Sequence, residues 1–222
     1  MANRFWIIFG DIHERISAVE RIDDIGRADG VFLSGDLTNL GTRERATGIV
    51  DAVAAMNPCV LAQIGNMDTQ AVDRLLTERG LNAHNRVTDL GGGVCLAAVG
   101  YSTPTPFSTP SEVDDAQICQ WAHDVLEAAG AFGRVILMIH TPPRGEVVDR
   151  LPSGAHVGSP GVRALIEKYQ PAVVVTGHIH EGVGEERIGR SHVLNPGAFA
   201  AGGYVRIDET PDGLVACLRG VS

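Results

Sequence analysis

Five short apolar runs in this chain each stop at a residue able to bind a metal ion, and that repetition constrains the fold more than any other feature. Residues 5–9 lead into Gly10-Asp11-Ile12-His13, 31–33 into Ser34-Gly35-Asp36, and 60–64 into Gly65-Asn66. Residues 135–139 lead into His140, and 173–176 into Gly177-His178-Ile179-His180. The runs have the length and β-branched content of buried strands. A single aspartate at a strand end is usually a turn or cap, and a single histidine is usually a satisfied polar residue. Bland explanations would have to hold independently at five strand ends, so the joint pattern favours a metal-binding edge.

Between these strands the periodicity predicts helices. Ile16, Val19, Ile22 and Ile25 suggest one over 14–28; others are expected over 42–56, 69–80, 112–130 and 160–169. Alternating strands and helices imply parallel pairing with right-handed crossovers, and in such sheets ligands gather beyond the carboxyl ends of the strands. Gly91-Gly92-Gly93 reads as a hairpin between two strands in 85–99. The loop at 102–110 carries Pro104, Pro106 and Pro110, and a long polar loop at 141–159 carries Asp149 and His156. After Gly182 come short strands at 183–188, 191–194, 203–207 and 214–218, which predict a second, more antiparallel sheet finishing the chain.

A length of 222 residues at 44% hydrophobic suits one domain over 1–222. The formal charge of -9 opposes duplex nucleic-acid binding, which depends on Lys and Arg neutralising phosphates. Cys59, Cys95, Cys119 and Cys217 lack a C-x-x-C pair and read as core cysteines. Neither a secretory leader nor an apolar stretch of about 20 residues is present, so the expected setting is a soluble, reducing cytoplasm with no membrane partner. Edge strands in the second sheet leave room for a homodimer.

The candidate metal ligands are Asp11, His13, Asp36, Asn66, His140, His178 and His180. Seven exceed what one tetrahedral zinc takes, whereas two divalent ions sharing Asp36 and a hydroxide can divide them. Two dications against Asp11, Asp36 and one hydroxide leave a local surplus of one positive charge, so an acidic protein can still hold a phosphate here. Imidazole, carboxylate and amide ligands suit Mn, Fe, Zn, Co or Ni.

In order, Asp11-x-His13, Gly35-Asp36, Gly65-Asn66-x-Asp68, His140 and Gly177-His178-x-His180 resemble the motifs of the calcineurin-like metallophosphoesterase superfamily. His140-Thr-Pro-Pro, His156-Val-Gly-Ser and Asn195-Pro-Gly-Ala add a resemblance to its small prokaryotic phosphodiesterase branch. The resemblance implies a four-layer α/β/β/α sandwich with two mixed sheets. It implies one ion on Asp11, His13, Asp36 and His180 and another on Asp36, Asn66, His140 and His178. A hydroxide between the ions would attack phosphorus, giving Asp36, Asn66 and His140 their catalytic part through the metals. Strand alternation would turn His178 and His180 apart, so a bend at Gly177 is expected to send them to neighbouring ions.

One position departs from the family pattern. Where many members have a histidine after Gly-Asn, this chain has Met67, whose thioether cannot donate a proton. His156, His192 and Arg144 are the candidates to replace it, and Asp68 is left as a cap for the helix after Thr69. The expected function is phosphodiester hydrolysis of a small phosphorylated substrate. The alternatives are a nucleotide phosphomonoesterase or pyrophosphatase, and a non-catalytic metal-stabilised interaction scaffold.

Overall fold

Period-two alternation along the strands decides the layering. Phe5, Ile7 and Phe9 belong to one buried cluster, while Trp6 and Ile8, between them, belong to another. Cys95, Ala97 and Val99 likewise separate from Val94, Leu96 and Ala98. Both faces of these two strands are therefore apolar, as a sheet covered on both sides requires.

The computed structural model describes residues 4–221. Its strands are β1 (Phe5–Phe9), β2 (Gly30–Leu33), β3 (Val60–Ala62), β4 (Arg86–Gly91), β5 (Val94–Val99), β6 (Arg134–Ile139), β7 (Val173–Val175), β8 (Gly184–Ile188), β9 (Ser191–Asn195), β10 (Gly203–Thr210) and β11 (Gly213–Gly220). Its α-helices are α1 (Arg43–Met56), α2 (Gln70–Glu78), α3 (Asp115–Ala128) and α4 (Pro160–Tyr169). One sheet has the order β11-β10-β1-β2-β3, the other β4-β5-β6-β7-β9-β8.

Trp6, Ile8 and Phe32 from the first sheet meet Leu96, Ile136 and Met138 from the second, forming the central layer. Ile49, Val53 and Leu75 on α1 and α2 cover the outer face of the first sheet. Ile118, Val125 and Ile166 on α3 and α4 cover the second. The result is the expected α/β/β/α sandwich. Strands β1, β2 and β3 are parallel, as are β5, β6, β7 and β9, so the ligand-bearing ends emerge together within each sheet.

Three expectations change. Residues 14–28 form no α-helix but two 3-10 turns, Ser17–Arg21 and Ile25–Arg27. Ile16, Val19, Ile22 and Ile25 recur every three residues, the 3-10 period, and positive φ at Glu14 and Asp24 interrupts any α-helix. The last four strands also build no separate sheet: β8 and β9 extend the six-stranded sheet, while β10 and β11 close the other. Val193 and Leu194 are buried on opposite faces of β9, which suits a place beside β7, and β10 pairs antiparallel with β1 through Val205 and Ile207. Finally, all four cysteines are free, but only Cys95 is buried; Cys59 is exposed where the chain enters β3. Among the described residues no helix is long and apolar enough to cross a membrane.

Candidate metal centre

Beyond their last paired residues, β1 and β2 stay zipped together. Asp11 N donates to Gly35 O at 2.9 Å, Ile12 N and His13 N donate to Asp36 O at 2.8 and 3.0 Å, and Glu14 N donates to Leu37 O at 3.0 Å. This zipper holds Asp11, His13 and Asp36 at φ of 49°, 47° and 50°, left-handed conformations that each cost a non-glycine residue about 1–3 kcal/mol. Such strain persists only where surrounding bonds over-determine it. Gly35 has φ 117°, and a Cβ there would lie 2.7 Å from His140 Nδ1, so the close approach of β2 to β6 requires glycine.

At β7 the turn occurs one residue later than expected. His178, not Gly177, has the positive φ, 68°, and Ile179 N closes onto Gly177 O at 2.7 Å. A Cβ on Gly177 would lie 2.5 Å from Asp11 Oδ2, so that glycine instead lets the two sheets meet. Asp11 accepts from His178 N through both carboxylate oxygens, each at 3.2 Å. The bend separates the two imidazoles. His178 Nδ1 lies 2.7 Å from Asn66 Oδ1, and His180 Nε2 lies 3.0 Å from His13 Nε2 and 3.3 Å from Asp11 Oδ1.

All seven candidate ligands therefore converge. Asp36 Oδ2 lies between the two groups, 3.7 Å from His13 Nε2 and 3.6 Å from His140 Nε2. His140 Nδ1 donates to Ser34 O at 3.0 Å, and His13 Nδ1 is held by Asn39 Oδ1 at 2.7 Å, so both rings turn Nε2 inward. Two imidazole nitrogens 3.0 Å apart with carboxylate oxygens beside them fit a divalent cation about 2.0–2.2 Å from each ligand. Asp11, His13 and His180 form one such group, and Asp11, Asp36 and His140 another.

The charges reflect this crowding. Burial alone would depress the His140 pKa, but the charge and hydrogen bond of Asp36 outweigh it and hold the imidazole at about 9. Asp36 is lowered against its burial by the same pair. His178 falls to about 4, through burial first and then through charged His140. Donating a hydrogen bond to the Asp11 carboxylate raises the His180 pKa.

An ion held by His140 would need the neutral imidazole, whereas Asp36 raises the His140 pKa to about 9 and favours the protonated form. Affinity for the ion held by His140 is accordingly expected to rise about tenfold per pH unit between pH 6.5 and 8.5, with about one proton released in that binding event. Manganese titration calorimetry in buffers of different ionisation enthalpy measures both quantities. A flat affinity would refute the coupling.

Supporting residues were less legible. Asp68 does not cap α2. Buried, it accepts from Leu37 N at 3.0 Å, Thr38 N at 2.8 Å, Thr38 Oγ1 at 2.9 Å and Gly65 N at 3.1 Å, tying the loop of Asp36 to that of Asn66. Asn195 is also more than a turn residue: its Nδ2 donates to Val148 O at 3.0 Å and Ile179 O at 2.8 Å, anchoring the His178–His180 bend. The proline-rich loop proves more than a connector, since Thr109 Oγ1 accepts from Asn66 Nδ2 at 2.9 Å. Thr109 and Glu112 have the T-x-x-E spacing of a capping box, the one local signal that pointed to them.

Two of the candidates to replace a histidine at position 67 are engaged by carboxylates. His156 Nδ1 is 2.8 Å from the buried carboxylate of Asp149, and His192 Nε2 is 3.1 Å from Glu185 Oε2. Asp149 also accepts from Gly145 N and Gly158 N, so His156 and Asp149 close the 141–159 loop upon itself. Arg144 is exposed, and its backbone N donates to Ser159 O at 2.9 Å.

Fold and site together define a two-sheet α/β sandwich with a cluster of metal-ligating side chains where the carboxyl ends of both sheets meet. A family model described as metallophosphoesterase, calcineurin superfamily, matches residues 120–213, the part carrying His140, His178 and His180. The uncharacterized protein MJ1162 of Methanocaldococcus jannaschii is 28% identical over 193 residues, covering 84% of each chain. The structure of TT1561 of Thermus thermophilus is similar over 100% of both chains, with TM-score 0.74 and 18% identity. A dimetal phosphatase from Danio rerio is similar over 99% of this chain and 96% of its own, with TM-score 0.69 and 12% identity. Over residues 120–213 the chain is thus similar to the calcineurin-like metallophosphoesterase superfamily, and the structural likenesses show the same fold.

Proposed function

We propose that this chain is a dinuclear metal-dependent phosphoesterase that hydrolyses phosphodiesters by direct attack of water. The observation that carries this reading is the Asp36 carboxylate, whose Oδ2 lies 3.7 Å from one inward imidazole and 3.6 Å from another. Asp11, His13, Asp36 and His180 would hold one ion, and Asp36, Asn66, His140 and His178 the other. When bound, such a pair lowers the pKa of a water for attack on phosphorus and neutralises charge on the phosphoryl oxygens. Asp36 sets the spacing of the pair, and Asn39 and the Ser34 carbonyl keep His13 and His140 in the ligating tautomer.

Met67 is why phosphodiesters with good leaving groups are favoured. Its backbone N donates to Asp36 Oδ1 at 2.8 Å, and the partly exposed thioether follows Asn66 directly. Leu40, an exposed apolar residue, donates its N to Met67 O at 3.0 Å, so this rim of the site offers no proton donor from either side chain. Introducing one by Met67→His is expected to raise the rate on an unactivated diester by about tenfold or more relative to a nitrophenyl diester, a modest share of the 10²–10⁴ available to general acids. If both substrates change in equal proportion, that account of Met67 fails.

A cavity of about 290 Å³ reaches Glu181, the residue after His180. Val147, Leu151, Pro152 and Val183 line it together with Glu146 and Arg150. The test is hydrolysis of activated diesters, monoesters and pyrophosphates across Mn, Ni, Fe, Zn and Mg, with metal content measured alongside. A preference for monoesters or pyrophosphate would overturn the diester reading in favour of the nucleotide-directed alternative. Metal binding without turnover would favour a scaffold.

A further inference from the structure

The buried amide of Asn66 faces two ways. Its Oδ1 lies 2.7 Å from His178 Nδ1 and 3.2 Å from His140 Nε2, while its Nδ2 donates to Thr109 Oγ1 at 2.9 Å. An amide rotated by half a turn would present its NH2 to the metal-ligating side, where a cation finds no lone pair. Asparagine by itself has no means of choosing, since oxygen and nitrogen occupy nearly the same volume.

We propose that Thr109 and Glu112 are positioning residues that fix the rotation of the Asn66 amide and so make its oxygen available to a metal ion. Glu112 Oε1 accepts three hydrogen bonds, from Thr109 Oγ1 at 2.5 Å, Thr105 Oγ1 at 2.6 Å and Thr109 N at 2.8 Å. A carboxylate oxygen has no hydrogen to give, so the Thr109 hydroxyl must spend its only proton on Glu112. Its lone pairs then face Asn66, where they can meet only a donor. Nδ2 is therefore held on the Thr109 side and Oδ1 on the side of His178 and His140.

Burial would raise the Glu112 pKa, but the Thr105 and Thr109 hydrogen bonds outweigh it and bring it to about 2, so the anchor is ionised throughout the working range. The backbone repeats the constraint: Ser111 N donates to Asn66 O at 3.1 Å, and Ser111 Oγ donates to Asp68 O at 2.6 Å, seating the proline-rich loop against the 65–68 segment.

The inference rests on the proposed metal binding, and its consequences concern metal affinity in addition to rate. Removing the hydroxyl by Thr109→Val leaves the amide unsupported. It is expected to weaken one of the two manganese-binding events by about 10–100-fold in titration calorimetry, the usual cost of losing a residue that orients a ligand. Thr109→Ser, which keeps the hydroxyl, should bind within about threefold of wild type. Glu112→Gln offers an amide donor to Thr109 and should weaken the same event. The decisive comparison uses Asn66→Asp: both carboxylate oxygens accept, so adding Thr109→Val to that background should change manganese affinity by less than about twofold.

Wild-type affinity in Thr109→Val, or an equal loss in the serine variant, would overturn the inference. An undiminished further loss in the Asn66→Asp background would do the same. The amide orientation is also readable without metal, from NMR contacts between the Asn66 side-chain NH2 protons and Thr109. Their presence supports the inference even if manganese fails to bind and the function reading falls; their absence overturns it.

Discussion

With Asp36 replaced by asparagine, hydrolysis of a nitrophenyl phosphodiester by the manganese-loaded protein is expected to fall by about 10³-fold or more. The substitution is nearly isosteric, and the backbone bonds from Ile12 N and His13 N go to Asp36 O, which it leaves untouched. On the proposed two-metal reading it would remove one of the two carboxylates that offset the dications, the one that both ions would share. Metal ions contribute several kcal/mol of transition-state charge stabilisation in such sites, and about 4 kcal/mol corresponds to 10³ in rate. The measurement is kcat/KM at saturating manganese together with metal content. Turnover within tenfold of wild type would show that Asp36 is not shared between ions.

Asp68→Ala is expected to cost the metal-free protein about 3–5 kcal/mol in stability. Four donors converge on this carboxylate: Leu37 N, Thr38 N, Thr38 Oγ1 and Gly65 N. Each buried donor left unpaired costs about 1–3 kcal/mol, and water entering the vacated space recovers part of the sum. Because the loops of Asp36 and Asn66 hang from the same side chain, manganese affinity should fall with stability.

The pH dependence gives this prediction a second handle. Burial first, and the charge of Asp36 second, push the Asp68 pKa up to about 7, against the pull of the Thr38, Gly65 and Leu37 N–H groups. An acid whose folded-state pKa is raised binds its proton more tightly folded than unfolded. Its protonation therefore contributes stability that is fully present below the ordinary carboxylate range and is lost as pH rises through about 7. Denaturant unfolding of wild type and Asp68→Ala should differ most near pH 4–5 and less at pH 8. A difference below about 1 kcal/mol throughout would mean that Asp68 ties nothing together.

Residues with strongly local signatures were legible from the chain alone. The apolar run 135–139 meets the observed β6 to within one residue, and helix 160–169 matches α4 at both ends. A continuous apolar run marks the first, and the second begins with Ser159 accepting from Val162 N and with Pro160 in its first turn. The 14–28 segment was misread because a three-residue repeat lies close to the 3.6-residue period, and the positive φ values that decide between them depend on the β1–β2 zipper. Asp68 and Thr109 carry no sign of their distant partners, because Asp68 serves Leu37 and Thr38, and Thr109 reaches back to Asn66.

By itself, the sequence determined the chemistry at each strand end: which residues carry imidazole, carboxylate or amide, and that short apolar strands deliver them, in four of the five cases past a glycine. Those features are written within a few neighbouring residues. Only the tertiary structure decided that two sheets would abut so that Asp11 accepts from His178 N, that His178 and His180 would diverge at a left-handed residue, and that Asn66 would turn its oxygen inward. Each of these depends on strand order and on hydrogen-bond polarity between distant segments, which local side-chain periodicity does not encode.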